Sequence, residues 1–99
     1  MFDSAYIDIK CPFCGQISGI ECQTKELDCN LDVWRKGQFV GDITLSKLNC
    51  IADCLSDECK DYEEKNRGYR SGFGRMFEVD VKLSLGIVTG EYQITKAVV

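Results

Sequence analysis

The chain has 99 residues, a net charge of −4, 44% hydrophobic residues and no histidine. That length and composition describe one folded domain, residues 1–99. The acidic balance argues against a surface that grips nucleic acid through its phosphates, and the missing histidine removes Ser/His/Asp and Cys/His catalysis as well as imidazole ligation. No apolar run is long enough to span a bilayer, and Met1 to Tyr6 carry neither the basic nor the apolar region of a secretory signal, so an intracellular, cytoplasmic protein with no membrane contact is expected.

Residues 5–10 alternate, Ile7 and Ile9 to one side and Asp8 and Lys10 to the other, which is the period of a short strand. It leads into Cys11-Pro12-Phe13-Cys14-Gly15. Gly15 and Gly19 bracket a tight return, and residues 17–23 read as a second strand antiparallel to the first. Val33, Trp34, Phe39, Val40 and Ile43 surround Lys36-Gly37-Gln38, predicting a hairpin or two short strands over 31–44.

Leu48, Ile51, Leu55, Cys59 and Tyr62 then recur at steps of three and four, a helical spacing. Ser46 is one possible cap and Gly68 a stop. Asp57 and Glu58 at one end and Lys65 and Arg67 at the other match the macrodipole of a shorter helix. The favoured helix covers 57–66, with a longer one from Lys47 as the alternative. Residues 77–85 place Phe77, Val79, Val81, Leu83 and Leu85 on one face and Glu78, Asp80, Lys82 and Ser84 on the other, a half-buried strand. Gly86 and Gly90 surround the next bend, and 91–99, rich in Tyr, Ile, Thr and Val, reads as the returning strand. The expected fold is α+β: mainly antiparallel sheet with an N-terminal knuckle, a C-terminal β-hairpin and one helix.

Seven cysteines are present: Cys11, Cys14, Cys22, Cys29, Cys50, Cys54 and Cys59. An odd count without a secretory signal favours a metal site over a disulfide framework. A Cys-x-x-Cys pair on a tight turn aims both sulfurs at one ion, and the following glycine frees the backbone to bend around it. Cys11-Pro12-Phe13-Cys14-Gly15 between two candidate strands resembles the first knuckle of zinc-ribbon proteins. The resemblance covers the N-terminal quarter of the chain and implies a structural Zn²⁺ with four ligands. The second half departs from that pattern, because the later cysteines are spaced Cys50-x3-Cys54-x4-Cys59. In an unbroken helix Cys50 and Cys54 share a face and Cys54 and Cys59 diverge. A loop across Leu55-Ser56-Asp57, favoured by the ribbon analogy and by the turn and cap character of Ser56 and Asp57, brings Cys54 and Cys59 together. The expected ligands are Cys11, Cys14, Cys54 and Cys59. Cys50, the competitor of Cys54 or Cys59, would then be a free thiol beneath the helix, and Cys22 and Cys29 buried thiols on strands.

Cys-Pro-Phe-Cys also resembles the glutaredoxin active site, where the motif opens a helix and the first thiol gains acidity there. Here glycines and β-type residues follow, and no second proline is available for the cis bond of that fold. Residues 65–75 hold four basic residues, two aromatics and three glycines with no acid. Arginines and aromatics so interleaved can stack on bases, although an acidic run precedes them. The expected function is a non-enzymatic binding or adaptor module with a protein partner. The alternatives are single-stranded nucleic-acid binding through 65–75 and thiol oxidoreduction by Cys11/Cys14.

Overall fold

The computed structural model describes residues 2–27, 31–68 and 74–97, with the backbone alone for Arg67. Among them are six strands and one helix: β1 (Asp3–Lys10), β2 (Ile17–Thr24), β3 (Val33–Arg35), β4 (Lys47–Cys54), α1 (Asp57–Arg67), β5 (Arg75–Ser84) and β6 (Ile87–Ala97). The strands form one mixed sheet in the order β3-β1-β2-β4-β5-β6, antiparallel except where β3 runs parallel to β1.

Period-two burial explains the strands. Ala5, Ile7 and Ile9 of β1, Ile20 and Cys22 of β2, Leu48, Cys50, Ala52 and Cys54 of β4, and Phe77, Val79, Val81 and Leu83 of β5 all point to one side and form the core. Each fully buried Val, Ile, Leu or Phe contributes about 1.5–3 kcal/mol over its exposed state. The β1–β2 hairpin pairs from Asp3↔Thr24 to Lys10↔Ile17 around the knuckle. The β4–β5 ladder pairs all eight residues of β4, from Lys47↔Lys82 to Cys54↔Arg75. Between these two blocks, Cys22↔Ala52 and Gln23↔Ile51 are the backbone pairs joining β2 to β4. The sheet curls until its ends meet: Gly37 N–H donates to Val88 O (2.8 Å), Val88 N–H to Gln38 O (3.0 Å) and Val40 N–H to Gly86 O (2.9 Å). The Lys10 amide donates to the Tyr92 hydroxyl at 2.9 Å.

Four local expectations need correction. The turn at Lys36-Gly37-Gln38 forms, with Gln38 N–H donating to Arg35 O at 3.0 Å, but no hairpin follows. Its first arm joins β1 and its second pairs Phe39 with Ile87. The Ser4 amide donates to Asp32 O, and the Asp32 amide to Asp3 Oδ1, so the chain enters β3 already alongside β1. The long helix from Lys47 does not exist. Leu48, Cys50, Ala52 and Cys54 carry a strand period, and the three-and-four spacing of Leu48, Ile51 and Leu55 arises because Ile51 and Leu55 are exposed. Leu85 is not on the buried face. It is 73% exposed and adopts φ 49° beside Gly86 at φ 76°, the paired left-handed geometry of a two-residue hairpin turn. The returning strand begins at Ile87, earlier than expected, with Gly90 inside it; Val98 and Val99 of the predicted strand lie outside the described residues. Among the described residues no helix is long and apolar enough to cross a membrane.

Candidate metal centre

The four expected cysteines come from four structural positions: Cys11 directly after β1, Cys14 in the turn, Cys54 as the last residue of β4 and Cys59 in the first turn of α1. Their sulfurs all lie within 4.8 Å of one another. Cys11 Sγ is 3.8 Å from Cys59 Sγ, and Cys14 Sγ is 3.8 Å from Cys54 Sγ. Four sulfurs about 2.3 Å from a tetrahedral zinc stand about 3.8 Å apart, so the cluster has the size of such a shell. Cys11, Cys54 and Cys59 are each 1% exposed, and Cys14 is half-buried. An all-thiol donor set suits zinc or iron and does not suit magnesium or calcium.

Each half of the cluster is shaped locally. In the knuckle, Gly15 N–H donates to Cys11 O at 3.0 Å and Cys11 N–H to Gln16 O at 2.9 Å. Gly15 holds φ 76°, where a side chain would be strained. The Phe13 amide points at Cys11 Sγ from 3.4 Å. In the second half, Ser56 is extended (φ −64°, ψ 153°) and caps α1, its hydroxyl accepting from the Cys59 amide at 3.4 Å. This break in the chain between Cys54 and Cys59 lets their sulfurs converge. The same Ser56 Oγ lies 3.3 Å from Cys54 Sγ and 3.4 Å from Cys14 Sγ. Cys59 also sits where the amides of a helix N-terminus favour negative charge.

The thiols differ in acidity. Burial pushes Cys11 up, against the Cys14 and Phe13 amides. Burial likewise pushes Cys59 up, outweighing the Ser56 hydrogen bond. At Cys14 burial also raises, but the Ser56 hydroxyl, the Gln16 amide and the Cys11 and Cys54 thiols together bring it down to about 7. A cation entering the cluster must itself supply the charge that ionises Cys11 and Cys59.

Around the sulfurs a small scaffold ties the knuckle to the helix. The Arg75 guanidinium lies 3.8 Å from the centre of the Phe13 ring and 3.8 Å from that of Tyr62, so one cation bridges knuckle, helix and β5. Phe13 packs edge-on against Phe77 at 6.2 Å. Gly74 presses its backbone on Cys54: a Cβ there would collide with the Cys54 carbonyl. Its amide donates to Asp53 Oδ1 at 3.0 Å. Sequence reading missed Ser56 as a neighbour of two sulfurs and Arg75 as part of this scaffold. Ser56 was legible only as a cap, and nothing in the spacing of Phe13, Tyr62 and Arg75 announces that they meet.

Cys50 is buried in β4 with its thiol donating to Leu48 O at 3.5 Å, so it lies in the sheet core and not beneath the helix. Cys22 is likewise buried on β2, and Cys29 lies outside the described residues. The knuckle leads into β2 and not into a helix, unlike the glutaredoxin arrangement. Of the basic stretch 65–75, residues 69–73 and the side chain of Arg67 lie outside what is described, and Arg75 is engaged by its two rings. No family model, no curated protein and no solved structure matches this chain.

Proposed function

We propose that this chain is a zinc-binding domain of zinc-ribbon-like character, whose Zn²⁺ is held by Cys11, Cys14, Cys54 and Cys59 and serves structure. The observation that carries this is the convergence of four thiols, two from the knuckle and two from the β4–α1 junction, at the spacing of a tetrahedral shell. A metal with four protein ligands has no open position for water or substrate. It fixes shape, and the domain acts as a non-enzymatic binding or adaptor module in the cytoplasm, with a protein as partner. Nucleic acid is the less favoured ligand: Arg75 is engaged within the scaffold and the chain is acidic overall.

Native mass spectrometry of the purified protein tests this reading. The expected mass is that of the chain plus one zinc, with a chelator abolishing the thermal transition of the metal-bound form. A metal-free protein with the same melting curve before and after zinc addition would overturn it.

A further inference from the structure

Within the cluster the four thiols are not equivalent. Cys11, Cys54 and Cys59 are shut away from solvent, while Cys14, at the turn of the knuckle, is only half-buried. All four sulfurs are within 4.8 Å of one another, and their surroundings differ. Cys14 and Cys54 stand 3.8 Å apart with the Ser56 hydroxyl beside both, at 3.4 and 3.3 Å. Cys11 and Cys59 stand 3.8 Å apart in the interior, with the Phe13 amide on Cys11. An oxidant arriving from water meets Cys14 first, and Cys54, 3.8 Å away and sharing the Ser56 hydroxyl with it, is placed to resolve the product.

We propose that Cys14 and Cys54 form a peroxide-reactive pair that couples oxidation to loss of the metal, a regulatory property that rests on the zinc reading above. The Cys14 thiolate attacks one oxygen of hydrogen peroxide. The O–O bond breaks, a Cys14 sulfenic acid forms, and the departing hydroxide takes a proton to become water. The Cys54 thiolate then attacks the Cys14 sulfur, forming the S–S bond and expelling a second hydroxide, also protonated to water. Two thiolates lose two electrons and peroxide gains them. A disulfide sulfur is a poor zinc ligand. The ion keeps only Cys11 and Cys59 and leaves, and the new S–S bond alone ties the knuckle to the end of β4, so α1 loses the link that the metal made through Cys59. Cys22 and Cys50, buried in the sheet, take no part.

The test uses the zinc-loaded full chain with a limiting dose of hydrogen peroxide. Metal content is measured by native mass spectrometry before treatment, released zinc with a chromogenic chelator, and disulfides by peptide mapping after alkylation. The expected result is one zinc released per peroxide consumed, a Cys14–Cys54 disulfide with Cys11 and Cys59 still alkylatable, and reloading after dithiothreitol with added zinc. Cys14→His keeps a possible fourth ligand but removes the attacking sulfur, and should retain its zinc at a dose that empties the wild type. Zinc-loaded protein that keeps its metal under peroxide, or whose first disulfide joins Cys11 to Cys59 or Cys11 to Cys14, would overturn the proposal and leave the structural zinc standing. A chain that carries no metal before peroxide is added would overturn both.

Discussion

β4 is held on its two sides by different means. Toward β5 it pairs along its whole length, over buried Leu48, Cys50, Ala52, Val79 and Val81. Toward β2 the backbone pairs are Cys22↔Ala52 and Gln23↔Ile51. On that thin side the knuckle after β1 meets the end of β4 and the start of α1, and there the four thiols gather. One junction follows from alternating hydrophobicity and hydrogen bonding. The other has a short backbone ladder and gathers four thiols beside it. On the zinc reading, the β4–β5 ladder should stand without metal while the attachment of the knuckle to the end of β4 should depend on it.

The largest expected effect breaks the thin junction alone. Cys11→Ser or Cys14→Ser should abolish zinc binding and, because binding energy of a structural zinc is folding energy, cost several kcal/mol of stability. Cys22→Ser should cost only about 1–2 kcal/mol, from packing and a buried hydroxyl. Hydrogen exchange sharpens the same contrast: without zinc, the amides of β1 and β2 should lose protection before those of β5. Equal loss across both hairpins would show that the two junctions are one cooperative unit.

Next is Gly74→Ala. The new methyl must displace the Cys54 carbonyl, an overpacked backbone contact costing about 3 kcal/mol. It acts on a ligand of the thin junction, so zinc affinity measured by competition with a chromogenic chelator should fall together with the melting temperature. Unchanged affinity would separate Gly74 from the site.

Alkaline pH probes the two buried core thiols, Cys22 on β2 and Cys50 on β4. Burial, with the Glu21 charge in second place, pushes Cys22 from an ordinary 9.0 up to about 12. Burial pushes Cys50 up as well, helped by Cys22, Glu26 and Asp80. Above pH 9 the unfolded chain releases these protons while the folded chain keeps them, so the unfolded state binds fewer protons and stability falls as pH rises. Each thiol should contribute a slope of about 1.4 kcal/mol per pH unit between pH 9 and 12. Urea midpoints at pH 8 and pH 10 measure it, and Cys22→Ala combined with Cys50→Ala should flatten the slope.

Smaller still is Arg75→Ala. Losing two ring contacts should cost about 1–2 kcal/mol and loosen the knuckle, seen as faster zinc loss to a chelator. Arg75→Lys should recover part of this, because an ammonium keeps the charge and loses the planar stack. The smallest effect has the opposite sign. Leu85→Asn places a residue that tolerates φ 49° at an exposed hairpin turn, and should raise stability by about 1 kcal/mol in chemical denaturation without touching the zinc.

Much of the architecture could be read in advance because burial imposes a period. The alternation of Phe77, Val79, Val81 and Leu83 announces β5, and Ile7 and Ile9 announce β1. The helix from Asp57 to Arg67 could be read from Ser56, the early acids and Gly68, which are its N-cap, its first turn and its C-cap. β4 was ambiguous because Ile51 and Leu55, though apolar, face solvent, and only tertiary pairing decides which apolar residues are core. The parallel docking of β3 on β1 depends on the Asp3–Asp32 contact between residues far apart in sequence, for which no local pattern exists. At the centre, Cys11 and Cys14 were legible from the knuckle. The choice of Cys54 and Cys59 over Cys50 turned on a chain break at Ser56, which cap chemistry favours and helical spacing opposes. Arg75 between Phe13 and Tyr62 is a purely three-dimensional meeting and left no trace in the sequence.

The separation of the two thiol pairs along the chain has a kinetic consequence. The knuckle closes the short link between Lys10 and Ile17, an event of about 1–10 μs for a hairpin. Cys54 lies 40 residues beyond Cys14, and Cys59 lies 48 beyond Cys11, so bringing the second pair in without help carries a loop-closure cost of about 3 kcal/mol plus a constant. On the zinc reading, an ion captured first by the knuckle would turn that search into the recruitment of two tethered ligands. The rate of folding should then rise with zinc concentration until capture is no longer limiting, and it should do so through Cys11 and Cys14 before Cys54 and Cys59 are engaged.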